Sequence, residues 1–563
     1  MKFTTRKLAA LAAVLALGLS ACAGDGQGGG QGGDNGDGKG GVTTEAQYNP
    51  KERDEIEDGG KLTTSLIEIT PQFNVFHADG TRYTRDVWRW YNPVMAYFTP
   101  EGEWSFNPDY LTDVKEETVD GNTKVTFTIR DEATFNDGTP IDWKAFEATW
   151  KTNSGKDDAY AANSTDGYSL IKSVTKGDTD KVAVVEFDGM WVWWQGLFND
   201  ILHPKAAAAD VYNQGYINKP HPEWGAGPYK LKSYDQNAGT VVFERNEKWW
   251  GDEGKLDERI FRAMEDTAAV NAFKNGELDA IGAGNAEVQS QIKDVADTEM
   301  RKSVIPSSSL FVLNADSEKL KDDKVREALM KGFDRSQVAA VRFNGIDYTE
   351  ELPGSLTLFP YQEGYQDNVA KAEINFDKEG AEKLLDEAGW TKGDDGIREK
   401  DGEKLSLTYP LFSDLALTQN LAKAMQAMYK EIGVDLQIDQ RSGAEFSNTM
   451  TNKTFDAVSM GFASSDPFGV AYFCQIWCSD SQLNKSGTGT KELDEKIQEM
   501  MKLGTQEEQI EKANELEAEA FHRYGLLPLW NGPEIIATKK GLANFGADMF
   551  YVGPVQDIGW EKK

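Results

Sequence analysis

The chain has 563 residues, 27% charged and 39% hydrophobic, a globular composition with room for two or three domains. Its formal net charge is -33, from 93 acidic against 60 basic residues. Such a field repels phosphate backbones and excludes nucleic acid as a partner; otherwise the acidity reads as solubility.

Lys2, Arg6 and Lys7 precede an apolar run from Leu8 to Leu19 that is too short to span a bilayer. Residues 1–21 read as a lipoprotein signal peptide. The ending Leu19-Ser20-Ala21-Cys22 resembles a bacterial lipobox, which implies cleavage before Cys22 and acylation of that residue. Residues 22–53 then form a Gly/Asp-rich flexible tether that has no apolar surface to bury. Gly24, Gly26 and Gly29 satisfy GxGxxG, but no strand precedes them, so the match is compositional. No later segment reaches about 18 consecutive apolar residues, which leaves lipid on Cys22 as the expected anchor.

Lys61 to Ile67 reads as a first strand, after Gly59-Gly60. Lys124 to Arg130 alternates, with Val125, Phe127 and Ile129 on one face. Asp137-Gly138 marks a turn, and Asp142 caps a helix carrying Trp143, Phe146 and Trp150. The strand from Lys181 to Phe187 runs into DGMWVWWQG, where Trp191 and Trp193 share one face of an extended segment and Trp194 takes the other. GPYKLKSY and TVVFERN form a strand pair, and FRAMEDTAAVNAFKNGELDAIG joins a strand to a helix that stops at Gly276. Farther on, LFVLNA and KLSLTYPL are strands, VREALMKGFD and AEKLLDEAGW amphipathic helices. A long helix follows with Leu421, Met425, Met428 and Ile432 in one stripe, read as core, before the strand VDLQIDQ. Strands alternating with helices imply an α/β chain with mixed sheets.

Cys474 and Cys478 lie in FCQIWCSD. An exported chain favours a disulfide between them, but i,i+4 spacing on a regular helix is too wide, so a bridge requires a turn or distorted helix. The alternative is a pair of reduced, buried thiols. His77, His203, His221 and His522 are scattered, none at ligand spacing from a cysteine, so neither metal nor other cofactor is expected.

From KVTFTIRDEATFNDGTPIDWKAFEATW onward the chain resembles the extracytoplasmic solute-binding proteins of family 5, the peptide-, dipeptide- and nickel-type receptors of ABC importers. GAGPYKLKSYDQNAGTVVFERNEKWWG, KLDERIFR, NGELDA, VREALMKGFDRSQV, FDAVSMGFASSDPFG, KELDEKIQEM and LLPLW continue the likeness in order. The resemblance implies a two-lobed, periplasmic-binding-protein-like fold of type II, with an extra subdomain in lobe one and a hinge. Lobe one is expected over 54–302, with the subdomain at about 95–215, lobe two over 303–525, and a return to lobe one over 526–563. It also implies a receptor held on the outer face of the cell membrane, without catalysis, that delivers oligopeptides or similar elongated solutes. Its partners would be ABC permease subunits and, through them, cytoplasmic ATPases, with the receptor itself a monomer.

The absence of nucleophile-elbow, zinc and P-loop motifs makes a secreted hydrolase the weaker reading. A second alternative keeps the fold but regulates envelope glycolipid assembly. For ligand contacts the resemblance points to Asp79 and Thr81 in the loop after the first strand, to Tyr160, and to Phe462 at the position of the family's cleft tryptophan. The family's ammonium-binding aspartate falls on Ser464 or is deleted, and Asp466 is the substitute, or else a loop cap. Trp194 is expected to face the cleft.

Overall fold

The structure is a computed structural model that describes residues 44–563 other than 465. The expected leader, Cys22 and most of the tether lie outside the described residues. No helix among the described residues is long and apolar enough to cross a membrane.

Lobe one is built on a seven-stranded mixed sheet. Its order is Thr298–Val304, Pro533–Lys539, Ala280–Gly282, Lys61–Leu66, Glu258–Ala263, Thr240–Arg245 and Tyr229–Asp235. Lys61–Leu66 runs parallel to both its neighbours, and the remaining pairs are antiparallel. Its alternating pattern puts Leu62, Thr64 and Leu66 inside. A four-stranded antiparallel sheet forms the subdomain, in the order Leu111–Val119, Asn122–Ile129, Val182–Phe187, Ile171–Lys176. Helix Trp143–Asn153 packs on it through Phe146, 5.0 Å from Phe127, and starts where Asp142 accepts from Lys144 N at 2.9 Å.

Lobe two has an antiparallel sheet ordered Ala457–Ala463, Ser307–Leu313, Leu526–Trp530, and a parallel pair, Ser406–Leu411 with Asp435–Gln440, joined by helix Ala416–Glu431. Met425 and Ile432 are buried and Leu421 and Met428 pack against the same cluster, so the methionine stripe is core.

The chain crosses between the lobes at two adjacent places. Val304 pairs with Pro533 on the lobe-one side, and Ser309 with Trp530 on the other. The crossings are therefore Ile305-Pro306 and Asn531-Gly532, a few residues beyond the expected boundaries, because Leu526–Trp530 hydrogen-bonds into the lobe-two sheet before the chain returns. Glu350 holds the second crossing, accepting from Asn531 N and Gly532 N at 2.9 Å each. Asn531 Nδ2 in turn donates to Ser307 O and Ser308 Oγ at 3.0 Å. Gly532 has φ 85°, a conformation glycine adopts without strain.

Candidate ligand chamber between the lobes

The lobes are closed on one another. A single apolar cluster runs from Phe127, Phe146 and Trp193 of the subdomain to Val470, Phe473 and Phe521 of lobe two. Trp193 Nε1 donates to Gln509 Oε1 at 2.7 Å, and Gln506 Nε2 donates to Val192 O at 3.0 Å. Thr451 Oγ1 donates to Asp79 Oδ1 at 2.8 Å, Ser413 Oγ to Asp266 Oδ2 at 2.5 Å, and Ser447 Oγ to Glu68. Asp166 of the subdomain accepts from Gln475 N at 2.8 Å; burial pushes its carboxyl up to about 7. Gly443 and Gly102 allow close approaches, since an added Cβ would stand 2.4 Å from Ile67 Cγ1 at the first and 2.8 Å from Pro467 Cγ at the second.

Partly exposed polar and charged side chains gather at the seam and line the candidate chamber. Its lobe-one wall begins at helix Arg82–Trp88, capped by Thr81, whose hydroxyl accepts from Tyr83 N at 3.2 Å and shares a 2.6 Å hydrogen bond with Thr70 Oγ1. Thr84, Val87 and Trp88 are buried, while Arg82, Arg85, Asp86 and Arg89 recur at i, i+3, i+4 and i+7 on another face. Arg85 is taken by Asp200 at 3.2 Å.

Arg82 locates the chamber. It is exposed, and against desolvation the charges of Asp86, Tyr83 and Glu534 hold its guanidinium above the usual value. Tyr83 is in the same position, and burial raises its hydroxyl to about 12. Glu534 and Asp548 also keep open surface while burial drives both carboxyls well above the usual range. Across from them, lobe two contributes Phe359 and Tyr361, stacked at 5.5 Å, and Phe550 of lobe one lies 6.2 and 6.4 Å from the two rings. The Tyr361 hydroxyl is buried with no partner among the described residues. A seam with aromatic and charged walls can orient an organic ligand by its ends while its bulk packs on the rings.

The residues singled out in the sequence do not come together in one place. Asp79 and Thr81 sit at the start of the same helix, Asp79 bridging to Thr451 and Thr81 acting as the cap. Tyr160 packs on Tyr212 and donates to Ala207 O at 2.6 Å within lobe one. Phe462 is half-buried in strand Ala457–Ala463, opposite Ser308. Asp466 is buried, accepting from Tyr472 Oη at 2.6 Å and from Phe468 N at 2.9 Å, which is the loop-cap arrangement.

Trp194, expected at the cleft, is instead buried in the subdomain: its N–H donates to Glu116 at 2.8 Å and its ring meets Trp104 edge-on. The segment is not extended there but turns into a short 3-10 helix, Trp194–Gly196, so the alternation of faces fails. Trp193 is the indole that crosses the seam. Cys474 and Cys478 are joined by a disulfide that straddles the end of the one-turn helix Phe473–Trp477, with Cys478 already extended.

Arg82, Asp86, Arg89, Tyr361, Glu534 and Asp548 were missed. The only signal was the charge spacing in TRYTRDVWR, which reads equally as a solvated helix face. A separate groove of about 570 Å³ lies on lobe two between Asn314 and Asp456. Its carboxylates are engaged, Asp316 by Lys453 at 2.8 Å and Asp456 by Ser317 and Thr408 N.

Comparison with known proteins agrees with this architecture. The family model for bacterial extracellular solute-binding proteins, family 5, matches residues 105–484. The oligopeptide-binding protein OppA of Mycobacterium tuberculosis is 30% identical over 542 residues, covering 95% of this chain and 90% of that protein. The structure of the oligopeptide-binding protein AppA from Bacillus subtilis, in complex with a nonapeptide, has a TM-score of 0.77 at 18% identity, covering 90% of this chain and 100% of that one. The periplasmic EDTA-binding protein EppA has a TM-score of 0.74 at 23% identity, covering 93% and 99%. With its ordered motifs, two lobes and double crossing, the chain belongs to the bacterial extracellular solute-binding proteins of family 5 and has their two-lobed periplasmic-binding-protein fold.

Proposed function

We propose that the protein is the lipid-anchored receptor of an ABC importer, capturing oligopeptides or similar elongated organic solutes between its lobes and presenting them to the permease. The observation that carries this reading is the closure of two lobes on one another through a shared apolar cluster and direct hydrogen bonds, with partly exposed polar and aromatic side chains at the seam. Ligand bridging the two walls favours the closed state by its differential affinity, and the closed state is the form that docks. Asp79 and Thr81 flank the chamber at the helix start, and Tyr361, Phe359 and Phe550 supply the aromatic surface. Similarity to an oligopeptide-binding protein over nearly the whole chain supports the ligand class.

Mass spectrometry of ligand co-purified with the native protein tests the class directly, and a non-peptidic, compact solute overturns it. Incubation with bound peptides should release no cleavage product; steady turnover refutes a receptor without catalysis. Anchoring is proposed through Cys22, and Cys22→Ala should abolish labelling by palmitate.

A further inference from the structure

The subdomain meets lobe two at a short stretch of chain that a disulfide closes on itself. Lobe two presents a 3-10 turn there, Gly469–Tyr472, running into the one-turn helix Phe473–Trp477. Phe468, Tyr472 and Gln475 reach lobe one. The Phe468 ring lies 6.0 Å from both Phe98 and Trp193. Tyr472 Oη stands 3.0 Å from Gly196 O, so close that a Cβ on Gly196 would be 2.8 Å from that hydroxyl. Gln475 N donates to Asp166 Oδ2 at 2.8 Å.

The Gln475 amide sits inside the ring that the disulfide closes, between Cys474 and Cys478. A single helical turn has no stability of its own, so the shape of this one depends on what ties its ends. Cys478 N donates to Cys474 O at 2.9 Å, and the bridge draws the two Cα atoms to 4.6 Å. Four residues of regular helix rise about 6 Å, so the bridged turn is compressed. Phe473 and Trp477 anchor it in lobe two, Trp477 edge-on to Phe521 at 5.2 Å, while Gln475 faces the seam. Cys478 is buried, whereas Cys474 keeps open surface.

We propose that the Cys474–Cys478 disulfide is a redox-sensitive clasp on lobe closure, holding the Gln475 amide against Asp166 while oxidised and freeing it when a dithiol reduces the bridge. The proposal rests on the lobes opening and closing around ligand. Exchange begins when a thiolate of the dithiol attacks the sulfur of Cys474, the more open residue. The S–S bond breaks, a mixed disulfide forms, and Cys478 leaves as a thiolate. The second thiol of the dithiol, once deprotonated, attacks its partner sulfur in the mixed disulfide and releases Cys474. Two electrons have then passed to the protein, each cysteine takes up a proton, and the dithiol departs as a disulfide. Two thiols cannot stay at bonding distance, so the sulfurs separate and the turn relaxes toward helical spacing. That movement carries Gln475 N away from the buried Asp166 carboxyl and loosens the seam.

Hydrogen exchange and small-angle scattering of the protein as purified, with and without dithiothreitol, test the clasp, and thiol titration monitors the bridge. With the bridge open, exchange at the Gln475 amide should speed by about ten-fold or more, the scale of a lost buried hydrogen bond, and the radius of gyration should rise. Cys474→Ser/Cys478→Ser should match the reduced wild type and be indifferent to dithiothreitol. Asp166→Ala separates a clasp from a bridge that only stabilises lobe two. It removes the acceptor, so its radius should already equal that of the reduced wild type, and reduction should add nothing. A bridge that dithiothreitol leaves intact in the folded protein overturns the clasp. So does reduction without change in exchange or scattering, or an undiminished rise in radius in Asp166→Ala. A radius that stays fixed under every condition, Trp193→Phe included, overturns the closing-receptor reading as well.

Discussion

Trp193 offers a direct measure of how firmly the lobes hold one another. Its indole N–H donates to Gln509 Oε1 at 2.7 Å, from the subdomain to helix Gln506–Phe521 of lobe two. Gln509 is fully buried, and its amide nitrogen is committed to Met501 O and Leu503 O, so its carbonyl has no second donor at hand. Trp193→Phe keeps an aromatic ring in place and removes the donor. In the closed state a buried carbonyl then loses its partner, at a cost of about 1–3 kcal/mol. In the open state water replaces the indole and the cost is close to nil. The closing equilibrium should fall by roughly 5- to 150-fold, and apparent ligand affinity with it wherever the closed state is not already saturating. Trp194→Phe is the control, because its N–H bond to Glu116 stays within the subdomain. It should lower thermal stability and leave affinity unchanged. Ligand titration and small-angle scattering of the ligand-free protein read both effects. If the two variants lose stability alike and neither changes affinity or radius of gyration, this seam does not open and the reasoning fails.

Three further outcomes are expected. Burial holds the Asp166 carboxyl at about 7 in the closed state, against an ordinary carboxylate value of about 4 in solvent. The closed state therefore retains a proton that the open state has lost. Closure is aided as pH falls from about 7 toward 4 and opposed above 7, and scattering profiles of Asp166→Asn should show a flatter dependence; an unaltered profile counts against a role for the Asp166–Gln475 contact in closure. The Cys474–Cys478 bridge closes a very short loop, so reduction should lower unfolding stability by about 2 kcal/mol, read by denaturant titration with and without reductant. Glu350→Ala removes the acceptor for two crossing amides, which predicts a loss of about 1–3 kcal/mol and faster hydrogen exchange at Asn531 and Gly532 than elsewhere in either sheet.

The elements that pack were legible from the sequence, since their period is set by burial. Asn122–Ile129 alternates as its residues suggest, and the Met425 stripe is core because a helix of that length must bury one face. The boundaries between lobes were less legible. LLPLW reads as a strand, but nothing in it says that the partner is Ser307–Leu313, more than two hundred residues earlier. The tryptophans divide in the same way. Burial of all three in MWVWWQG follows from size and apolarity, whereas the turn at Trp193 and Trp194 decides which indole reaches Gln509 and which reaches Glu116.

The chamber is where local reasoning ends, for a definite physical reason. Periodicity reports which face of an element avoids water, and a chamber wall does not avoid water. Arg82, Asp86 and Arg89 have the same spacing as any solvated helix face. Their meaning comes from Glu534 and Asp548, over four hundred residues later, and from the lobe that closes over them. In a closing receptor this separation has a use. The groups that bind ligand are wet in the open state, where their charge costs little, and enclosed only when ligand answers it. Enclosing charge without a ligand to answer it then costs more than enclosing it with one, which favours closure on ligand over empty closure.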